Sequence, residues 1–268
     1  MSLITALPGA TAQGLIWGIM AIGVYITFRI LDIADLTVDG TLCTGGAVCI
    51  MMMLSGHNVW VSMLVATGAG LLAGLATGIF HTFMGIPAIL AGILTQLSLY
   101  SVNLKIMGKA NQAINVDKFN LLVSLRRVKG VALTQNTLFI VAIMIIILIA
   151  VLYWFFGTEL GCSLRATGCN PSMSRAQGIN TDRNKVLGLM LSNGLVALSG
   201  ALLTQYQGFA DINMGRGSIV IGLAAVIIGE AIFSRIFRNF ALKLLSVVFG
   251  SILYYLVLQI VIWMGIDT

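Results

Sequence analysis

Five near-continuous apolar runs restrict this chain more than any other feature. They are Ala12 to Ile30, Val59 to Phe80, Asn136 to Phe156, Val186 to Tyr206 and Leu244 to Met264. A helix needs about 20 residues to cross the hydrocarbon core of a bilayer. Lipid offers no hydrogen bonds, so only helices and closed barrels can span it. The runs lack the period-two alternation of a barrel strand, which leaves helices. Only 9% of the residues are charged, against about a quarter in soluble domains. These observations predict an all-α integral membrane protein, a single transmembrane domain over residues 1–268, with about eight spans. The net charge of +6 fits basic flanks beside lipid headgroups. No basic run interleaved with aromatic residues supports nucleic-acid binding. The N-terminal MSLITALPGATAQ has no basic leader region, so the first span is expected to stay in the membrane.

Two segments, near 36–54 and 218–234, are apolar but short for a full crossing, and are expected to be broken or re-entrant. The first follows ILDIADLTVDG. Its Asp32, Asp35 and Asp39 cannot face lipid, so they mark a surface turn or a bend buried in protein. Gly70, Gly74 and Gly78 line one face of their helix, a close-packing surface. The polar segment from Gly108 to Gln135 contains VDKFNLLVSLRRVKG, which reads as an amphipathic surface helix. Thr37, Thr41, Thr95, Gln96, Asn193 and Gln205 are polar residues in or beside spans. Each is a candidate for the pathway of a solute and, equally, for a hydrogen bond between helices. Cys43, Cys49, Cys162 and Cys169 do not have zinc-site spacing, and neither His57 nor His81 lies near them. No metal site and no cofactor is expected.

The stretch Glu159 to Lys185 is polar and well punctuated. Asn170 can cap a helix whose first residue is Pro171, and Gly178 is a stop signal. About two turns of helix are too short to be stable alone, so they are expected to dock against something.

Three readings of the chemistry compete. An intramembrane enzyme would use Asp32, Asp35 and Asp39, whose spacing suits one helix face, but no second acidic cluster accompanies them. An ion-coupled transporter or channel needs ionisable groups inside the spans, and only Glu230 comes close. The membrane subunit of a pump fuelled by another protein fits the uncharged spans, the missing nucleotide-binding motif and the structured polar loop. The distribution of Lys and Arg is nearly even across alternate loops, so the positive-inside rule does not fix the topology.

LRATGCNPSMSRAQGIN, with GRGSIVIGLAAVIIGE and LTVDGTLCTGGAV, resembles the permeases of the branched-chain amino acid and ribose ABC importer family. The family pattern there is LRATG-x-N-x3-A-x3-GIN. This chain departs from it at Ser174-Arg175, around a usual Ala. The likeness is strongest to a compact subgroup served by lipoprotein-type binding proteins, some linked to tryptophan or tyrosine uptake. It implies a bacterial cell-membrane importer subunit that has no catalytic residues of its own and partners a cassette ATPase, an external binding lipoprotein and a second permease copy. It also implies a cytoplasmic coupling region over about 157–185 and an external loop over about 108–135. Arg165, Asn170, Pro171, Arg175, Gly178 and Asn180 are then the expected ATPase-coupling residues. Arg165 has a second reading as an anchor for lipid phosphate.

Overall fold

The computed structural model describes residues 3–114, 119, 121–128, 136–233 and 239–264. Among these described residues, seven helices are long and apolar enough to cross a membrane. Helix α1 (Leu3–Tyr25) runs on as a π-helical turn, Ile26–Ile30. Then come α2 (Thr37–Leu54), α3 (Val59–Thr82), α4 (Ala88–Met107) and α5 (Thr137–Gly157). Two short helices follow, α6 (Glu159–Cys169) and α7 (Pro171–Ala176). The chain finishes with α8 (Thr181–Gln207), α9 (Ser218–Phe233) and α10 (Phe240–Trp263). Strand β1 (Asn111–Ala113) pairs antiparallel with β2 (Phe209–Asp211), Gln112 opposite Ala210. These strands close one end of the bundle, the strand end; α6 and α7 lie at the other.

Helix α8 is the hub, packed against α3, α2 and α1, while α10 packs on α1 and α9. The glycine face of α3 explains the closest of these approaches. A Cβ on Gly70 would collide with the Asn193 carbonyl of α8, and one on Gly74 with the Leu189 carbonyl. Gly78 faces Val186, whose Cα would lie 3.0 Å from an added Cβ. Lipid exerts no hydrophobic squeeze between helices, so such close van der Waals contact is what holds them. Gly68, off this face, meets nothing.

The two short segments differ. The one near 36–54 is not broken but holds one continuous helix, α2, of 18 residues and long enough to cross, and the irregular link lies before it. Only α9 falls short of a span. Leu31 N–H donates to Ile26 O across the π turn at 3.0 Å, and residues 31–36 then leave helical geometry. Asp32 takes a positive φ of 55°, uncommon for a residue with a side chain. Helix α9 has 16 residues, a length of about 24 Å, short of the ~30 Å hydrocarbon core. Its far end is fixed by Glu230, which pairs with Arg29 at 3.0 Å. Ser218 lies twelve residues before Glu230, so α9 begins roughly 18 Å inward from that pair.

The three acids do not share a helix face. Asp32 and Asp35 lie in the non-helical 31–36 link, and only Asp39 is in α2. The 159–180 region holds two helices where one was expected. Thr158 Oγ1 accepts from Gly161 N at 3.3 Å and starts α6, and Gly161 lets α6 fold back on the Phe155 carbonyl at the end of α5. Within VDKFNLLVSLRRVKG, residues 125–128 form one 3-10 turn and 121–124 are not helical; residues 116–118, 120 and 129–130 of that motif lie outside the described residues.

Candidate functional site

Helix α7 has the boundaries its sequence predicts. Asn170 Oδ1 accepts from Met173 N at 3.0 Å, Pro171 is the first helical residue, and Gly178 takes φ +80°. Asn180 caps α8 the same way, accepting from Arg183 N at 3.1 Å. Arg175 ties the two helices together: its Nε donates to Thr181 Oγ1 at 2.7 Å and an Nη to Asp182 Oδ1 at 3.2 Å. Ser174, at the position where the family pattern has Ala, is fully buried, with its hydroxyl on Asn170 O at 3.0 Å. A small side chain is what this position requires. Arg165 is exposed but looks elsewhere. Its guanidinium lies 5.9 Å from the centre of the Phe240 ring, in a groove of about 550 Å³ that it shares with Tyr153 and Trp154.

Five of the six pathway candidates are sealed in the bundle. Asp35 is completely enclosed; its Oδ1 accepts from Thr37 N at 2.9 Å and its Oδ2 from Asn193 Nδ2 at 2.7 Å. Asn193 Oδ1 in turn accepts from Thr41 Oγ1 at 2.7 Å. The Thr37, Thr77 and Thr95 hydroxyls form a chain with spacings of 2.8 and 2.9 Å. This network joins α2, α3, α4 and α8. Burial pushes the Asp35 carboxyl above the usual carboxylate range, opposed by the hydrogen bonds from Thr37 and Asn193. Gln205 serves the strand end, where it accepts from Leu122 N at 3.3 Å and reaches Cys49.

Gln96 alone among the six lines a cavity. That cavity, about 240 Å³, lies between α2, α4 and the turn before α9, and is also walled by Asp39, Tyr100, Asn103 and Arg216. Asp39 caps α9: it accepts from Gly217 N at 3.0 Å, Ser218 Oγ at 2.8 Å and Ile219 N at 3.0 Å. Arg216, Asn103 and Tyr100 are not among the pathway candidates that the sequence offers. The usable signal was the shortness of α9, which requires the turn before it to dip into the bundle. Among the described residues, no group of three or more His, Cys, Asp or Glu side chains is placed to hold a metal ion.

The family described as branched-chain amino acid transport system / permease component matches residues 7–267. A tyrosine transport system permease protein of Clostridioides difficile (strain R20291) is 38% identical over 253 residues, covering 94% of this chain and 82% of that one. An uncharacterized protein of Rickettsia prowazekii (strain Madrid E) is 39% identical over 269 residues, covering 99% and 90%. An autoinducer 2 import system permease protein of Yersinia pseudotuberculosis (serotype O:1b, strain IP 31758) is 29% identical over 230 residues, covering 82% and 60%. Among the three readings of the sequence, this selects the subunit of an externally fuelled pump. The chain belongs to the branched-chain amino acid transport system permease family, and is a multi-pass inner-membrane permease subunit of a bacterial ABC-type importer.

Proposed function

We propose that this permease passes a small solute, an amino acid, with an aromatic one such as tyrosine the leading candidate, and that α7 is where its ATPase docks. Two copies flank the pathway, an external lipoprotein delivers the solute at the strand end, and the α6–α7 end faces the cytoplasm. The observation that carries the docking assignment is Arg175. It reaches from a capped, exposed helix to Thr181 and Asp182 in the first turn of α8, so displacement of α7 is passed to the helix with the widest packing in the bundle. Asn170, Pro171, Gly178 and Asn180 stiffen this lever by fixing its ends. Arg165 points into an aromatic-lined groove away from α7, which favours its second reading, an anchor for lipid phosphate. The tyrosine permease relative supports the solute class.

The test is to copurify the chain with its ATPase and reconstitute both with the binding lipoprotein. ATP-driven uptake of L-tyrosine is expected. Uptake driven by an ion gradient, with no ATPase bound, would overturn the reading.

A further inference from the structure

We infer that the cavity between α2, α4 and the 212–216 turn is an intramembrane way-station for the solute, built for a small zwitterion. This rests on the amino-acid importer reading above. Two independent features point to a ligand. Asn103 is 1% exposed and lines the cavity, yet its Oδ1 has no hydrogen-bond partner; its Nδ2 donates to Gly40 O at 3.4 Å. A buried acceptor left empty is costly, so a ligand donor such as an ammonium group suits it. Arg216 lines the same cavity and, among the described residues, makes no ion pair. Its guanidinium is always charged and its fork matches a carboxylate. The acid beside it, Asp39, already accepts three hydrogen bonds from the start of α9, and so is a fixed countercharge with little capacity left.

The cavity therefore carries one cation and one anion, which favours a ligand of no net charge over a simple anion. Tyr100 and Leu97, both exposed on α4, offer an apolar wall for a side chain. At about 240 Å³ the space is below the ~300–1,000 Å³ of drug-sized sites, which suits a single amino acid. Position agrees as well: Arg216 lies two residues before Ser218, the buried first residue of α9, and is itself exposed, so at any depth in the bilayer it must face a polar, open cavity rather than lipid.

The experiment uses the reconstituted complex of permease, ATPase and lipoprotein, with L-tyrosine, L-leucine and D-ribose as probes. For Arg216→Gln, the maximal rate of amino-acid uptake is expected to fall about tenfold or more, as for loss of a charged hydrogen bond. The half-saturating concentration, set by the lipoprotein, stays the same, and Arg216→Lys recovers part of the rate. Leu97→Trp, at an exposed position on the cavity rim, lowers uptake without touching the fold. Copurification of ATPase with each variant verifies assembly. Normal amino-acid uptake by both Arg216→Gln and Leu97→Trp overturns the site while leaving the importer reading intact. Import of D-ribose and neither amino acid by the wild-type complex overturns the amino-acid reading and the zwitterion assignment with it.

Discussion

Asp39 and Ser218 meet across 179 residues of sequence, the carboxylate of one accepting the hydroxyl of the other at 2.8 Å. With the Gly217 and Ile219 amides on the same carboxylate, the start of α9 is capped from another helix. Asp39→Asn replaces one acceptor with a donor facing a donor. The unsatisfied amide is expected to cost about 1–3 kcal/mol, read as a lower thermal midpoint in detergent. An unchanged midpoint would show that the cap contributes nothing.

The glycine face of α3 gives a paired prediction. Gly74→Leu forces a side chain into the backbone of α8 at Leu189, and is expected to destabilise by about 1–3 kcal/mol or more, as overpacked cores do. Gly68→Ala enters open space and should leave the unfolding curve where it was. Equal behaviour of the two would remove the packing argument.

Arg175 separates coupling from stability. Its pair with Asp182 is more than half exposed on both sides, so it is worth less than about 1 kcal/mol. Arg175→Glu should therefore leave the thermal midpoint almost unmoved while reducing ATPase copurification and ATP-driven uptake. Full copurification and uptake by this variant would end the docking assignment of that residue.

Asn170→Ala removes the acceptor for Met173 N, a cap worth about 1 kcal/mol. Faster hydrogen exchange at the Met173 and Ser174 amides is expected, with weaker solute stimulation of ATP hydrolysis. Exchange as slow as in the wild type would show that α7 holds without its cap.

The Asp35 carboxyl is raised above its ordinary range by burial, so the folded protein keeps this proton to higher pH than the unfolded chain does. Its contribution to stability is full below the unfolded carboxylate range and is lost as pH rises through the folded value. Asparagine does not titrate, so the stability of Asp35→Asn relative to wild type should rise with pH across that window. Thermal midpoints at a series of pH values measure it, and a gap that is flat or narrows the other way would contradict the assignment.

Local signals were the readable ones. Asn170, Pro171 and Gly178 mark α7 because capping chemistry lies within a few residues of the end it caps. Gly70, Gly74 and Gly78 mark a contact face because helical periodicity is local too. The shortness of the segment near 218–234 marked α9, whereas the one near 36–54 proved an unbroken helix of span length. Depth and long-range pairing were not readable. Asp35 and Asn193 are 158 positions apart, and nothing in either neighbourhood announces the other. Thr37, Thr41, Thr95, Asn193 and Gln205 are polar in spans because they hydrogen-bond one another, the backbone or the loop at the strand end, and sequence cannot tell that use from contact with a solute. Arg216 is exposed in a glycine-rich turn, and nothing in the residues around it announces that the turn walls a cavity against α2 and α4.

The strand pair at one end of the bundle has a mechanical meaning. Asp211 ends β2, and the hydrogen bonds continue past it, with Ile212 N on Ala110 O at 2.9 Å. The next few residues bring the chain to Arg216 and then to the cap on Asp39. The outer ribbon is thus joined to the charged wall of the cavity by fewer than ten residues, wound into compact turns in which Met214 N donates to Asp211 O and Arg216 N to Asn213 O. A pull on the ribbon therefore reaches Arg216 and the cap on Asp39 along the chain itself, with no relay through the helices in between.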